Sequence, residues 1–588
     1  MELFKVATAW SNLAYFLKAL RSQNKQIGRC WKSSLVSILV VLLTACSSGG
    51  GGGNDSAPMN SDTTAPTAII TPSDADFDLD TAIAITVNFS EDIIASTVHE
   101  TSFTLSDDDG VAIDATVTFD AVNNVATLTP DSTLGVLKTY TSQLNTDVPN
   151  TDSKITDLSG NLLASTSTQF TTRDGEWNGP VLLIDGGSGN DSSRAQIEVA
   201  PNGDAVALYQ SSGDLYANHY SVTEGWSTKI QINNIGSEFT FADSPDVVMD
   251  AQGNAMVVWS EVTNAASSIY ANRYTVGNGW GSAQLIETTD AENANAPQLA
   301  VDSYGNVTVV WDQTNGSGYR DIWINYYFKA TAEWGEAREY KTVNVDVSNA
   351  DIAISQNGIS IITWEQGNDL YFDFYCCAGG LENYGNSGYI SSAITSDTTD
   401  SKIVFDSDNN ATIVWSEGDP DGGSFDLYSR YLTAGSTIWS DATLITSDSI
   451  LPSYDMAVDP YGNVIMVWRQ DSSIMANRYS KFSGSWEDTA TEIENNPNYV
   501  FSIPNIAVTG TNMFTVIWSQ IGESGNVDVY TNRFTPADGW DETEVELIES
   551  SPGITYQPTI GIDENGRAIA IWIQENGGRN AALIRHFN

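Results

Sequence analysis

Seven side chains that can bind polar ligands recur at one spacing. Glu261, Gln313, Gln366, Glu417, Gln470, Gln520 and Gln574 each stand two residues after a tryptophan: Trp259, Trp311, Trp364, Trp415, Trp468, Trp518 and Trp572. An eighth aromatic, Tyr209, is followed by Ser211 instead. The intervals between the eight aromatics are 50, 52, 53, 51, 53, 50 and 54 residues. Carboxylates and carboxamides gathered by such a repeat offer oxygen ligands to a cation or hydrogen bonds to a polar ligand. They are the candidate ligand-binding residues of the chain. The plainer use of the same groups is bonding to the backbone of the neighbouring unit, because buried polar atoms need partners.

Other chemistry-bearing groups are sparse. Of three histidines, His219 and His586 share a repeat position with Arg273, Arg430, Arg478 and Arg533. Cations spaced this regularly point to structural pairing or stacking on aromatic rings. The chain has no G-x-S-x-G elbow and no metalloprotease His pair, so no catalytic residue is assigned and enzyme activity has weak support. Asp-rich loops at 106–110 and 417–423 could take Ca²⁺, but neither has EF-hand spacing, and solvated turns are the simpler reading.

The elements that must position these groups are short strands. In the clearest copy, strand a is Val247-Val248-Met249 and strand b runs from Ala255 to Trp259. Strand c runs from Ile269 to Tyr274, and strand d follows Gly279-Trp280. Between a and b lies Asp250-Ala251-Gln252-Gly253-Asn254, a turn in which Asp bonds its own backbone and Gly takes positive φ. It recurs around Asp302, Asp459 and Asp563, and loosely at Asp406. Strand a carries a small residue at Ala300, Ala353, Ala457, Ala507 and Gly561, which suits strands crowded round an axis. Fourteen of the 17 Trp sit at repeated positions, so they read as core between units and not as sugar platforms.

A period near 50 residues with four short strands per unit predicts a radial all-β repeat. The eighth unit ends after strand c, whereas 176–184, ahead of the first unit, reads as a strand d alone. That N-terminal strand should complete the last unit and close the ring. The expected fold of 174–588 is a β-propeller of eight blades. Seven is the fallback if the degenerate fourth unit packs irregularly.

The preceding segment, 63–173, reads as alternating strands separated by Asn and Asp turns, as in a β-sandwich. It resembles the S-layer type of bacterial Ig-like domain. The residues that carry the match are Ala65-Pro66-Thr67, Val87-Asn88-Phe89-Ser90-Glu91, Ser102-Phe103-Thr104-Leu105, Asp157-Leu158-Ser159-Gly160-Asn161 and Phe170-Thr171-Thr172. The resemblance implies a spacer or adhesion module. The repeat itself resembles propellers of uncharacterised bacterial surface lipoproteins and, more distantly, lectin and sialidase propellers. A sialidase would need an irregular arginine trio converging on one carboxylate, which these periodic arginines do not provide.

The N-terminus, 1–45, reads as an export signal. It has a basic stretch from Lys5 to Lys32 and an apolar run from Leu35 to Leu43, too short for a resident span. Leu43-Thr44-Ala45-Cys46 resembles the lipobox of bacterial lipoproteins, which implies acylation of Cys46 and, with Ser47 following, sorting to the outer membrane. Residues 46–62 are a Gly/Ser tether. After Ala45 the chain has 19 basic and 74 acidic residues, a net charge of −55, which repels nucleic acid. Cys376 and Cys377 are adjacent and have no distant partner, so they are either a vicinal disulfide or two free thiols.

Together these features describe an outer-membrane lipoprotein, on the periplasmic or cell-surface side. Its propeller would bind an envelope or extracellular protein or a glycan. The alternatives are a sialidase-like glycan-processing enzyme and a scaffold in an envelope assembly.

Overall fold

The computed structural model describes residues 62–587 apart from 109, 146–153, 186–191, 234–240, 263–265, 289–292, 342–344, 377–381, 384–386, 392–396, 420–423, 495–499, 501, 511, 523, 542–544 and 576–577. The export signal, Cys46 and all of the tether except Asp62 lie outside the described residues. No helix among the described residues is long and apolar enough to cross a membrane.

The first part is a β-sandwich. Its strands are β1 (Ala68–Thr71), β2 (Asp76–Leu79), β3 (Ile85–Phe89), β4 (Phe103–Asp107), β5 (Ala115–Asp120), β6 (Val125–Pro130), β7 (Thr139–Leu144) and β8 (Thr166–Thr172). They form two four-stranded sheets, β1-β3-β6-β5 and β2-β8-β7-β4. The period-two pattern explains the layering: Ile85, Val87 and Phe89 point inward while Asn88 stays exposed. The core adds Phe103, Leu105, Leu128, Tyr140 and Phe170.

A ninth strand, β9 (Trp177–Leu183), leads into the repeats. The second unit shows their order: strand a Phe241–Met249, b Ala255–Val262 and c Ser267–Thr275, with strand d in two short pieces, Gly279–Trp280 and Gln284–Leu285. Strands a, b and c pair antiparallel. Asp250 Oδ1 accepts from the amides of Gln252 at 3.1 Å and Asn254 at 2.9 Å, and Gly253 sits at φ +83°. The turn read from the sequence is therefore built as expected.

Strand a of each unit packs on strand a of the next, from Ser192–Val199 through to Ile554–Ile562, and the last packs on the first. The small residues of strand a serve this approach: a Cβ on Gly561 would meet Val199 Cγ2 at 2.5 Å. β9 pairs antiparallel with Asn580–Phe587, strand c of the eighth unit, matching Leu183 to Leu583 and Trp177 to Phe587. The N-terminal strand thus closes the propeller, and closure leaves no free sheet edge at this seam. The seven strand-b tryptophans are at most 2% exposed, so each adds at least the roughly 1.5–3 kcal/mol of a smaller buried apolar side chain.

Candidate functional site

Side chains two apart on a strand share a face, so each strand-b Trp and the Gln or Glu that follows must lie side by side. The indole Nε1–H of Trp259 donates to Glu261 at 2.6 Å, Trp311 to Gln313 at 2.9 Å and Trp364 to Gln366 at 3.5 Å. The contact repeats from Trp415 to Glu417 at 2.7 Å, Trp468 to Gln470 at 3.3 Å, Trp518 to Gln520 at 3.0 Å and Trp572 to Gln574 at 3.4 Å. Glu261, Gln313 and Gln520 are fully buried, Glu417 and Gln574 nearly so, and Gln366 and Gln470 half-buried. The seven candidate residues therefore occupy equivalent places in seven units, and each meets the indole of its own strand. Gln574 also donates to Ser551 O at 3.2 Å.

A second ring lies on the innermost strands. Four residues ahead of the turn, every unit places a polar side chain on strand a: Gln196, Asp246, Gln298, Asp351, Lys402, Asp455, Asn505 and Thr559. Sequence reading missed this belt. Its signal was present in five units as a polar residue two positions before the small residue, hidden because its identity changes from unit to unit.

The belt ties neighbouring units together. Asp246 Oδ2 accepts from the amide of Leu299 at 3.1 Å, Asp455 Oδ2 from Ile506 at 3.1 Å and Asn505 Oδ1 from Ile560 at 2.8 Å. The Ile403 amide does the same at Asp351. Each acceptor reaches the next unit, so the bonds run in one direction round the axis. Asn505 Nδ2 also donates to Asp455 at 2.7 Å, and Lys402 Nζ lies 3.4 Å from Asp455. Two belt atoms are left over: Gln196 Oε1 and Thr559 Oγ1 are shut off from solvent and have no hydrogen-bond partner among the described residues.

Burial, with carboxyl crowding secondary, shifts the ionisation of the acids near the axis. Burial, with Asp246 adding repulsion, pushes Glu198 up to about 8. Burial pushes Asp246 up to about 7 against the pull of its backbone donors. Asp351 and Asp400 are also raised by burial. Lys402 is held protonated chiefly by Asp455, with help from Asp351 and Asp400. Three of the eight ring members, Asp246, Asp351 and Asp455, are carboxyls, and Lys402 is the one cation among the eight.

The periodic arginines and histidines do not converge. Arg273 donates to the hydroxyl of Tyr327 in the next unit at 2.7 Å. Arg478 lies over Phe534 and Arg533 over Phe587, at 5.4 and 4.5 Å from the ring centres. His219 stacks on Tyr274 with ring centres 4.1 Å apart, and His586 packs on Tyr220 across the seam at 4.9 Å. Arg430 bonds Ser440 O at 3.1 Å. Each strand-c cation or histidine with a ring partner is thus used between one unit and the next.

The remaining candidates resolve less. Asp107 of the first Asp-rich loop accepts from the Val111 amide at 2.8 Å and pairs with Lys138 at 3.2 Å, so it caps its own turn. Asp109, residues 420–423 and Cys377 lie outside the described residues, as does the side chain of Cys376. The vicinal pair and the second Ca²⁺ loop are therefore not described.

Comparison with known proteins follows this division of the chain. Residues 62–172 match the bacterial Ig-like domain family. No curated protein matches the chain. Among solved structures, a protein of unknown function from Dyadobacter fermentans is similar at 9% identity and TM-score 0.35, over 61% of this chain and 97% of that one. The β-propeller domain of the Trilobed protease from Pyrococcus furiosus is similar at 11% identity and TM-score 0.36, over 59% and 95%. A puromycin-hydrolysing peptidase from Mycobacterium tuberculosis is similar at 11% identity and TM-score 0.39, over 68% of this chain and 61% of that one. Scores this low carry no activity across.

Proposed function

We propose that this chain is a lipid-anchored protein of the bacterial outer membrane, on its periplasmic or cell-surface side, whose propeller binds a glycan or protein ligand at the mouth of its axis. Residues 1–45 would be removed, Cys46 acylated, and the tether and an Ig-like domain of the S-layer type would carry the head. The closed cycle of eight strand-a elements supports a propeller of eight blades. The observation that carries the binding reading is the axial belt. Its polar side chains come from every unit; two of its oxygen atoms, on Gln196 and Thr559, have no hydrogen-bond partner among the described residues, and because both are closed off from solvent a ligand must displace neighbouring side chains to reach them.

Acceptors near carboxyls favour a ligand rich in donors, such as the hydroxyls of a neutral glycan or a basic segment of a protein. The strong negative charge of the chain disfavours nucleic acid. Ca²⁺ is the cofactor its acidic loops could take. The Gln and Glu ring acts behind the belt, by holding the indoles of the buried clusters between units.

The test is a binding screen of the full chain against neutral and acidic glycans, with Ca²⁺ and with chelator. The reading requires saturable binding that falls at least about ten-fold in Gln196→Ala or Asp246→Asn. A blank screen would remove the glycan, and a crosslinking pull-down that also returns no stoichiometric partner would sink the binding reading as a whole.

A further inference from the structure

The Ig-like domain and the propeller are not separated by a free linker. Only 173–176 lie between β8 and β9, and the first three of these are engaged. The Arg173 amide donates to Leu79 O at 2.7 Å, and its carbonyl accepts from Leu137 at 3.0 Å. Asp174 pairs with Arg533 of the seventh unit. Gly175 lies against the Phe587 ring, where a Cβ would come within 2.5 Å of Cε1. Residues Thr63–Asn588 form one compact unit.

The loop between β6 and β7 inserts into the propeller. Val136 is 2% exposed and belongs to the same apolar cluster as Met513, Trp572 and Phe587. Its amide donates to Asn565 O, in the turn of the eighth unit, at 2.8 Å. The fit is tight from both sides: a Cβ on Gly135 would meet Asn565 O at 2.9 Å, and one on Gly566 would meet Val136 Cγ2 at 2.6 Å. The Ig-like domain fixes this loop internally. Tyr140 OH accepts from the Gly135 amide at 2.7 Å, and Thr172 Oγ1 donates to Gly135 O at 2.6 Å.

The place of insertion matters. Phe587 and Trp177 are the paired ends of strand c of the eighth unit and β9, with ring centres 5.5 Å apart. At this seam the ring is closed by hydrogen bonds between β9 and strand c of the eighth unit, which no connecting loop joins. Peeling β9 away is the shortest route to opening the ring, and β9 begins five residues after β8 ends. We infer that the Ig-like domain is a clasp on the closing seam of the propeller, with Val136 as its bolt. This goes beyond a spacer role: the domain can stand between an anchor and the head and still hold the ring shut. It also commits the turn end of the seventh and eighth units to an internal contact, which leaves ligands the rest of the propeller surface.

The experiment uses the full chain, with trypsin cleavage after Arg173 and calorimetry as readouts. Wild type should resist cleavage at Arg173 and unfold the head in one transition. Val136→Asp places a carboxylate in the apolar cluster that holds Met513 and Trp572. It should raise cleavage at Arg173 about ten-fold or more and lower the propeller transition while the Ig-like domain keeps its own. Gly135→Ala, at a site that needs no unusual backbone, should raise cleavage a few-fold, and it decides the matter if Val136→Asp fails to fold. Cleavage and melting equal to wild type in Gly135→Ala, together with either no change or no fold in Val136→Asp, would overturn the clasp.

Discussion

Trp259 Nε1 donates to Glu261 Oε2 at 2.6 Å within one strand, and both side chains are wholly buried. The pair is the pattern for seven units. It converts what looks in sequence like a ring of ligand-binding groups into a ring of indole anchors. Removing the acceptor leaves a buried N–H without its partner.

Gln313→Ala should therefore destabilise the head by about 1–3 kcal/mol, the cost of an unmatched buried donor. Gln313→Glu should cost less, because Glu261 and Glu417 do the same work elsewhere. Urea unfolding of the two variants checks this. Equal losses in both would mean that packing volume, not the acceptor, matters.

The turn glycines separate backbone strain from crowding. Gly277 at φ +78° has open space around it, whereas a Cβ on Gly305 at φ +80° would meet Lys329 Cδ at 2.6 Å and Asp250 Oδ2 at 3.0 Å. Gly277→Ala should cost about 1–2 kcal/mol from the left-handed backbone alone. Gly305→Ala should cost measurably more, because Lys329 must give up its 2.8 Å contact with Asp250. Thermal melts that rank the two the other way would refute the inter-unit role of Lys329.

The axial carboxyls make stability depend on pH in an unusual direction. Glu198 titrates at about 8 in the folded chain against an ordinary 4.5, so the native state holds a proton that the unfolded state has released. Its contribution is complete below the unfolded value and is lost as pH rises through the folded one. Asp246, at about 7 against 3.8, acts in the same sense. The melting temperature should fall between about pH 5 and pH 8, and Glu198→Gln should flatten that slope and melt higher than wild type at the alkaline end. Parallel pH profiles for the two proteins would exclude Glu198 as the source.

Lys402→Met would leave Asp351, Asp400 and Asp455 facing one another without their cation. Lys402 is 39% exposed, so the loss at neutral pH should be modest, on the order of 1 kcal/mol. It should shrink as acid neutralises the carboxyls. Stability measured against pH distinguishes this from lost packing of the lysine stem, which would not vary with pH.

Much of the fold was legible because it repeats. The Asp250-type turn recurs in five units and the strand-b tryptophan in seven, so each local preference is stated several times over, and the lone strand at 176–184 stands out because it supplies what the last unit lacks. The indole partners were legible too, since residues two apart on a strand must share a face, although the same spacing also fits a ring of ligand-binding groups. The belt was harder. Gln196, Asp246, Lys402 and Thr559 have no chemistry in common, and only their equal height on neighbouring inner strands makes them a ring.

By itself, then, the sequence determined the strand periods, the turn chemistry, the closing partner of the last unit and the Ig-like pattern ahead of it, because these follow from local backbone and side-chain preferences. Tertiary structure alone decided which polar groups are consumed within the protein and where the two parts meet. Val136 is one apolar residue among many in sequence, and Gly135 one glycine among 47. Their role at the seam exists only because folding brings residues more than 400 positions apart into contact, and burial in that contact, not residue type, gives them their effect.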